Sequence, residues 1–577
     1  MLRVSNCGLW TTSNACFYST KRVTTLTRNI EPIKSFKDNG SITEVYVVRR
    51  SRLRKSRSKR INASLSQRLK DITADEKWTE LPNDKAYERI VPPDQRQVAT
   101  LAHGLDKVLF NPGVHYLKDP RTKHFNFTPY LENITQPFEF DYDALQSYIT
   151  SSKDKTLINM AKSLNKSYIG STSSVSSVLS HFYFAMSNFK PVDLSSLSSA
   201  FKNQPNQFTR GTRVPASIYL RWKDGVYAID VDKSYDVEDS ILSIMGKSLE
   251  KVLTLEPNEY ERYLKENSFQ ITEEERNQPE TYAYGQMSKF LLRSQLDCSD
   301  TRLPRKTFDL KTRAAMPVRL DLANYQDYLG YTLKRSHGLY SSFEREYYDM
   351  IRSAFLKYSF QVRIGHMDGI LVAYHNTRKM FGFQYISREE MDARLFGSSR
   401  LGDQVFRNAL IMLESVLDQA TQKYPDQTLR LSFDTRPGET ASTMNIFVEA
   451  VPEEEHHLPA STEVVDDDFF QTNEAPKFDL DPYQQLSLFQ LRSQSLVNGH
   501  LVQGPLKLEN PFKDNWTVRT QFSEELVNDE EQKRIRFRAL RKRQAALYAP
   551  QSRSPILRLL KTISDRGLRE EASEKDN

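Results

Sequence analysis

Apolar residues recur along the chain at two spacings, three-and-four or every second position, and these set the expected elements. Residues 167–189 carry no acidic or basic side chain except one exception of a different kind, His181, and eight serines. Within them Val175, Val178, Leu179, Phe182, Ala185 and Met186 fall three and four apart. That predicts one face of a helix packed on a core, with contact at a membrane interface as the second reading. Residues 217–232 predict two short strands joined at Asp224-Gly225, a strong hairpin dipeptide. Residues 237–255 predict a helix on Ile241, Leu242, Ile244, Met245, Leu249, Val252 and Leu253, and charged residues 256–279 a helix followed by a loop. Strand-like runs follow at 290–298 and 307–315, with a turn at 301–305 between them. A helix capped by Ser342 is expected over 342–358, then strands over 360–386 broken at Asp368-Gly369 and Asn376. The helix at 403–424 and strands at 429–434 and 443–451 complete a mixed α/β core.

The 577 residues allow several domain-sized units. Aromatic residues make up 11% of the chain, too many for a mostly disordered protein. No segment reads as a transmembrane helix. The three cysteines, Cys7, Cys16 and Cys298, exclude a disulfide framework and a four-thiolate zinc site. Six regions are expected: 1–30, a leader; 31–75, a basic disordered arm; 76–209, an N-terminal helical or accessory region; 210–452, the core; 453–481, an acidic linker; and 482–577, a C-terminal region with a basic helix.

Charge is distributed unevenly. The overall balance is +7, but residues 1–60 hold fourteen Lys and Arg against Glu31, Asp38 and Glu44. Residues 1–30 have no acid, four basic residues and many Ser and Thr, the composition of a mitochondrial transit peptide; an ordinary disordered terminus is the alternative. The run RRSRLRKSRSKR at 49–60 concentrates charge suited to phosphates or anionic lipid. Residues 453–481 hold ten acids against Lys477, whereas 532–561 hold ten Lys and Arg and no acid. A basic helix of this kind suits RNA, a membrane surface or the chain's own acidic linker.

An acid followed two residues later by lysine occurs three times, and only Asp309-Leu310-Lys311 lies in a strand-like run. Strand alternation puts Asp309, Lys311 and Arg313 on one face and Phe308, Leu310 and Thr312 on the other. If the run at 290–296 is its neighbour, Asp297 comes close to Asp309 and Lys311. Two carboxylates are hard oxygen ligands for Mg²⁺, to which the Leu310 carbonyl can add a third. Such an ion polarises a phosphate and generates a nucleophile, with Lys311 offsetting developing charge. The plain alternative is a surface ion pair contributing only about 0–1 kcal/mol.

Leu296-Asp297 followed by Asp309-Leu310-Lys311 resembles the two signature strands of the PD-(D/E)XK nuclease superfamily. The ordered blocks Ser294-Gln295-Leu296-Asp297, Phe308 to Ala314, Phe343 to Met350, Gly365 to Ile370 and Phe381 to Tyr385 are similar to a narrower group. That group is the fungal mitochondrial RNA-processing and RNA-stability proteins of the petite-mutant class. The resemblance covers about residues 210–420. It implies a PD-(D/E)XK-like mixed sheet flanked by helices, in a matrix protein peripherally associated with the inner membrane. It further implies Mg²⁺- or Mn²⁺-dependent processing and degradation of mitochondrial RNA from 5′ ends, with a link to the mitochondrial RNA polymerase. A non-catalytic RNA-binding scaffold at the membrane is the alternative. On this pattern Asp297 takes the first-strand aspartate role, Asp309 the second acidic position and Lys311 the lysine. Leu296 replaces the signature proline, and Asp300 competes with Asp297. For the superfamily's helical glutamate the candidates are Glu250, then Glu238; Glu344 and Gln326 stand further downstream.

Overall fold

The computed structural model describes residues 32–38, 41–46, 78–93, 96–234, 240–451, 485–524, 530–548 and 554–575. The leader at 1–30, the basic run at 49–60, the acidic linker at 453–481 and Glu238 lie outside the described residues. Two units separate at Lys77/Trp78. In the first, within the arm expected to be disordered, Pro32–Asp38 pairs antiparallel with Ser41–Tyr46. Asn39-Gly40 between them is a dipeptide favoured in two-residue hairpins.

The second unit, Trp78–Asn577, is built on two sheets. Its large sheet has twelve strands and its small sheet five. Six elements place the candidate chemistry: β1 (Tyr168–Ser171), α1 (Thr172–Ser187), α2 (Ile241–Thr254), β2 (Phe290–Gln295), β3 (Cys298–Ser299) and β4 (Thr307–Ala314). In the large sheet β1 runs parallel to both β2 and Val226–Val231. The latter forms the expected hairpin with Ala216–Lys223, turning at Asp224 (φ 50°) and Gly225 (φ 92°). Such a turn needs positive φ at both central positions, which the Asp-Gly pair supplies.

Strands on both sides of the regions expected at 76–209, 210–452 and 482–577 join this one sheet. Thr79–Glu80 and Glu88–Ile90 take part, as do Leu486–Val497 and Trp516–Glu524. The small sheet runs β3, β4, Gly369–His375, Met380–Ser387 and Val114–Tyr116. β4 is parallel to Gly369–His375, and the other small-sheet pairings are antiparallel.

Helices fill the space between these layers. α1 contacts Phe355–Ile364 and Ser399–Lys423, and Val175, Val178, Leu179, Phe182, Tyr183 and Phe184 enter the main core. Its serines 174, 176, 180 and 187 are buried as well, so the helix is enclosed on all sides rather than on a single face. Alternate residues of Gly369–His375 serve two cores: Ile370, Val372 and Tyr374 face the first, while Leu371 and Ala373 face a second with Leu310, Phe308 and the apolar side of α2.

Three local expectations change. The helix expected over 342–358 is two, Phe343–Ser353 and Phe355–Ile364, divided at Ala354 (φ −126°). Phe360–Ile364 is therefore helical, not a strand, and Ser342 caps the first helix as expected. Residues 256–279 hold only the short helices Pro257–Tyr260 and Glu273–Arg276, with single 3₁₀ turns between.

The basic C-terminal segment forms α3 (Glu530–Tyr548) and α4 (Pro555–Lys575). Part of its charge is spent on the core. Arg541 pairs with Asp232 at 2.8 Å and Arg543 with Asp434 at 2.6 Å, while Lys533 donates to the Leu486 carbonyl at 3.0 Å. α4 docks where Gly567 and Gly330 meet; a Cβ on Gly567 would stand 2.0 Å from the Gly330 carbonyl oxygen. Among the described residues, no helix is long and apolar enough to cross a membrane.

Candidate active site

Asp309 and Lys311 stand on the same face of β4, as strand alternation requires. Asp297 arrives by an unexpected route. β2 is not the neighbour of β4: it belongs to the large sheet, and the chain crosses to the small one through Leu296-Asp297 before β3 pairs with the start of β4. Asp297 Oδ2 accepts a hydrogen bond from the Leu310 backbone N–H at 2.9 Å, which ties the crossing to the middle of the Asp309-Leu310-Lys311 tripeptide. Glu250 comes from α2, whose Met245, Leu249, Val252 and Leu253 are buried in the second core.

All four side chains line one cavity of about 170 Å³. Asp309 is 7% exposed and forms an ion pair with Lys311. Lys311 Nζ also donates to the Leu310 carbonyl at 3.1 Å and lies 5.6 Å from the Tyr358 ring centre. Burial, then the charges of Asp309 and Glu250, push the Asp297 carboxyl well above the usual range, and Lys311 opposes them. Burial also raises Glu250, to about 7, with Asp309 and Glu280 adding to it against Lys311 and Lys251. For Lys311, burial disfavours the charge, but Asp309 and Asp297 outweigh it and hold the ammonium protonated.

Three acids facing one lysine leave surplus negative charge in a small space, and a cation is what relieves it. Among the described residues no three His, Cys, Asp or Glu side chains form a ready metal cluster. The pair Asp297 and Asp309 fits a hard divalent cation that binds through one or two carboxylates and keeps waters or phosphate oxygens in its remaining positions.

The other sequence candidates lie elsewhere. Asp300 is paired with Arg302 and its carboxyl is held low by that hydrogen bond. Glu344 accepts from Ser198 N at 2.6 Å and Gly338 N at 2.8 Å, fastening two loops. Gln326 is exposed in a 3₁₀ segment. Conversely, Tyr148, Ser171, Thr172, Ser173, Arg293 and Gln361 line the cavity without having been singled out from sequence. Two signals were available: a Ser-Thr-Ser-Ser run opening an apolar helix, and a lone arginine inside the apolar strand 290–296.

Comparison with known proteins agrees on one family. The family model described as "Mitochondrial protein Pet127" matches residues 148–418, a span that contains all four cavity residues named above. The chain is 36% identical over 377 residues to the Schizosaccharomyces pombe "mRNA degradation protein pet127, mitochondrial", covering 64% of this chain and 72% of that protein. It is 40% identical over 313 residues to the Saccharomyces cerevisiae "Putative mitochondrial translation system component PET127", covering 51% of this chain and 37% of that one. Among solved structures it is similar to Candida albicans Rai1 in complex with pU5-Mn²⁺, at 12% identity and a TM-score of 0.28 over 62% of this chain and 91% of that one. That superposition is too loose to bear on the site. The extent of the fission-yeast match places the chain in the family of the mitochondrial protein Pet127.

Proposed function

We propose that the chain is a metal-dependent ribonuclease of the PD-(D/E)XK type that processes and degrades mitochondrial RNA from its 5′ end. The observation that carries this reading is the convergence of Glu250, Asp297, Asp309 and Lys311, from α2, β4 and the crossing between two sheets, on one cavity. Asp297 and Asp309 would hold Mg²⁺ or Mn²⁺, which would supply Lewis acidity at the scissile phosphate when bound. Lys311, kept charged by its acidic neighbours, offsets the negative charge that grows on the phosphate oxygens. Glu250, on the same cavity, is the group to accept the proton of the attacking water. The Leu310 N–H keeps Asp297 in position. The name of the fission-yeast relative supports RNA as the substrate. The matrix, the periphery of the inner membrane and the mitochondrial RNA polymerase are the setting and partner proposed with it.

The second reading is an RNA-binding scaffold that retains a nuclease architecture. Purified full-length chain on end-labelled RNA and DNA, with Mg²⁺, Mn²⁺ or EDTA, separates the two. The nuclease shortens RNA only with metal, and Asp309→Asn stops it while RNA remains bound. Binding without cleavage in either metal would leave the scaffold.

A further inference from the structure

The cavity has a second end that the acids do not occupy. β1 passes straight into α1, so Ser171 is both the last residue of the strand and the cap of a sixteen-residue helix. A capping box between Ser171 and Ser174 takes the N–H groups of those two residues, while nothing within the helix takes those of Thr172 and Ser173, and the helix dipole places partial positive charge there. Ser171, Thr172 and Ser173 line the cavity at this end, and the Tyr148 hydroxyl stands 2.9 Å from Ser171 Oγ and 2.7 Å from Ser173 Oγ.

A second, independent feature meets this one. β2 is parallel to β1 with Arg293 opposite Ser171, which brings a guanidinium beside the start of the helix. Arg293 is 1% exposed and lines the same cavity. Its Nη atoms are taken by Asp154 and the Ile149 carbonyl, yet Nε has no acceptor. A buried guanidinium N–H without an acceptor carries a substantial desolvation penalty, and an anionic oxygen would relieve it. Helix N–H groups, hydroxyls and this donor thus converge at the carboxyl ends of two parallel strands, a usual place for phosphate in α/β sheets.

We propose that this end of the cavity holds the 5′-terminal phosphate of the RNA while the adjoining phosphodiester lies at Asp297 and Asp309. The proposal rests on the nuclease reading and adds to it the chemical class of the substrate, a 5′-monophosphorylated end.

The test uses the full-length chain and three internally labelled RNAs of one sequence, with a 5′-monophosphate, with a 5′-hydroxyl, and with a 5′-hydroxyl plus a 3′-phosphate. Binding is measured by anisotropy in EDTA, and cleavage rates are measured in Mn²⁺. Charge-assisted hydrogen bonds make the 5′-monophosphate RNA about tenfold tighter, and faster, than either other RNA. Ser173→Asp puts a carboxylate in the first turn of the helix, where it suits the dipole but repels phosphate, and brings that ratio to about one. Its melting temperature serves as the check on folding. Equal wild-type binding of the three RNAs overturns the subsite, as does preference for the 3′-phosphate or a ratio that survives Ser173→Asp. Selective binding with no cleavage in Mn²⁺ upholds the subsite and overturns the nuclease; no binding of any RNA overturns both.

Discussion

Strand β4 carries charge into two buried clusters, and they are opposite in kind. At Asp309 and Lys311 three carboxyls face one ammonium, and two of the carboxyls are raised. Two residues on, Arg313 enters a cluster with Arg319, Arg345, Glu346 and Asp349. There Glu346 is fully buried and accepts from Met316 N at 2.7 Å and Arg319 Nη2 at 2.6 Å. Asp349 accepts from Arg319 at 2.9 Å and Arg345 at 3.3 Å. Burial would raise the Asp349 carboxyl, but Arg319, Arg345 and Arg313 prevail and hold it below the usual range. This cluster, with three guanidiniums to two carboxylates, fastens helix Phe343–Ser353 to the end of β4, although Arg313 Nε and Nη2 find no hydrogen-bond acceptor there. In the acidic one the repulsion shows as raised carboxyls, which a bound cation would relieve. Burial of charge alone does not single out a functional site; the raised carboxyls are what make the acidic cluster the candidate.

The sharpest break in this comparison is Glu346→Ala, which strands Arg319 and Arg313 without their shared carboxylate. Removing one partner of a buried pair lowers stability by about 3–5 kcal/mol, read as a lower denaturant midpoint. Asp309→Ala, in the other cluster, leaves the fold in place and lowers metal-dependent RNA cleavage by about 100-fold or more in single-turnover assays.

Glu250→Gln sharpens the contrast through pH. The folded carboxyl titrates near 7, above its ordinary 4.5, so the folded state holds the proton longer than the unfolded one. Stability associated with Glu250 is therefore complete below about 4.5 and is lost as pH rises through 7. In EDTA, Glu250→Gln melts higher than wild type at pH 8, by on the order of 2 kcal/mol, and the difference vanishes near pH 4. A variant less stable at pH 8 would mean that Glu250 is as well paired as Asp349.

The smallest effect concerns α3. Arg538 and Lys542 are exposed, whereas Arg541 and Arg543 are committed to Asp232 and Asp434. If α3 grips RNA, Arg538→Gln with Lys542→Gln flattens the log–log salt slope of binding by about 0.7 per charge. An unchanged slope, with loss of protein from anionic vesicles, would assign α3 to the membrane.

The tripeptide Asp309-Leu310-Lys311 could be read from sequence because strand parity alone puts its two charges together. Glu250 was reachable through the helical repeat that buries Leu249 and Val252 beside it. Sheet partnership was not legible. The apolar runs 290–296 and 307–314 look alike, and nothing local says that they belong to different sheets. Phe360, Val362 and Ile364 alternate like a strand, yet they fold as a helix because its turns bury Phe355, Leu356 and Ser359 as well. The break at Ala354 has neither Pro nor Gly to announce it. Arg293 is readable only in hindsight: its meaning depends on a parallel register with Ser171 that residues 122 positions apart do not advertise.

The two-residue crossing at Leu296-Asp297 has a mechanical consequence. One acid travels with the large sheet's exit and the other with the small sheet, so the gap between them is a gauge of how the sheets sit against each other. The Leu310 N–H on Asp297 couples the two acids across that seam, so a perturbation that shifts one sheet against the other strains this hydrogen bond first. If the proposed ion binds there, its affinity is expected to fall in mild denaturant before the helices lose signal.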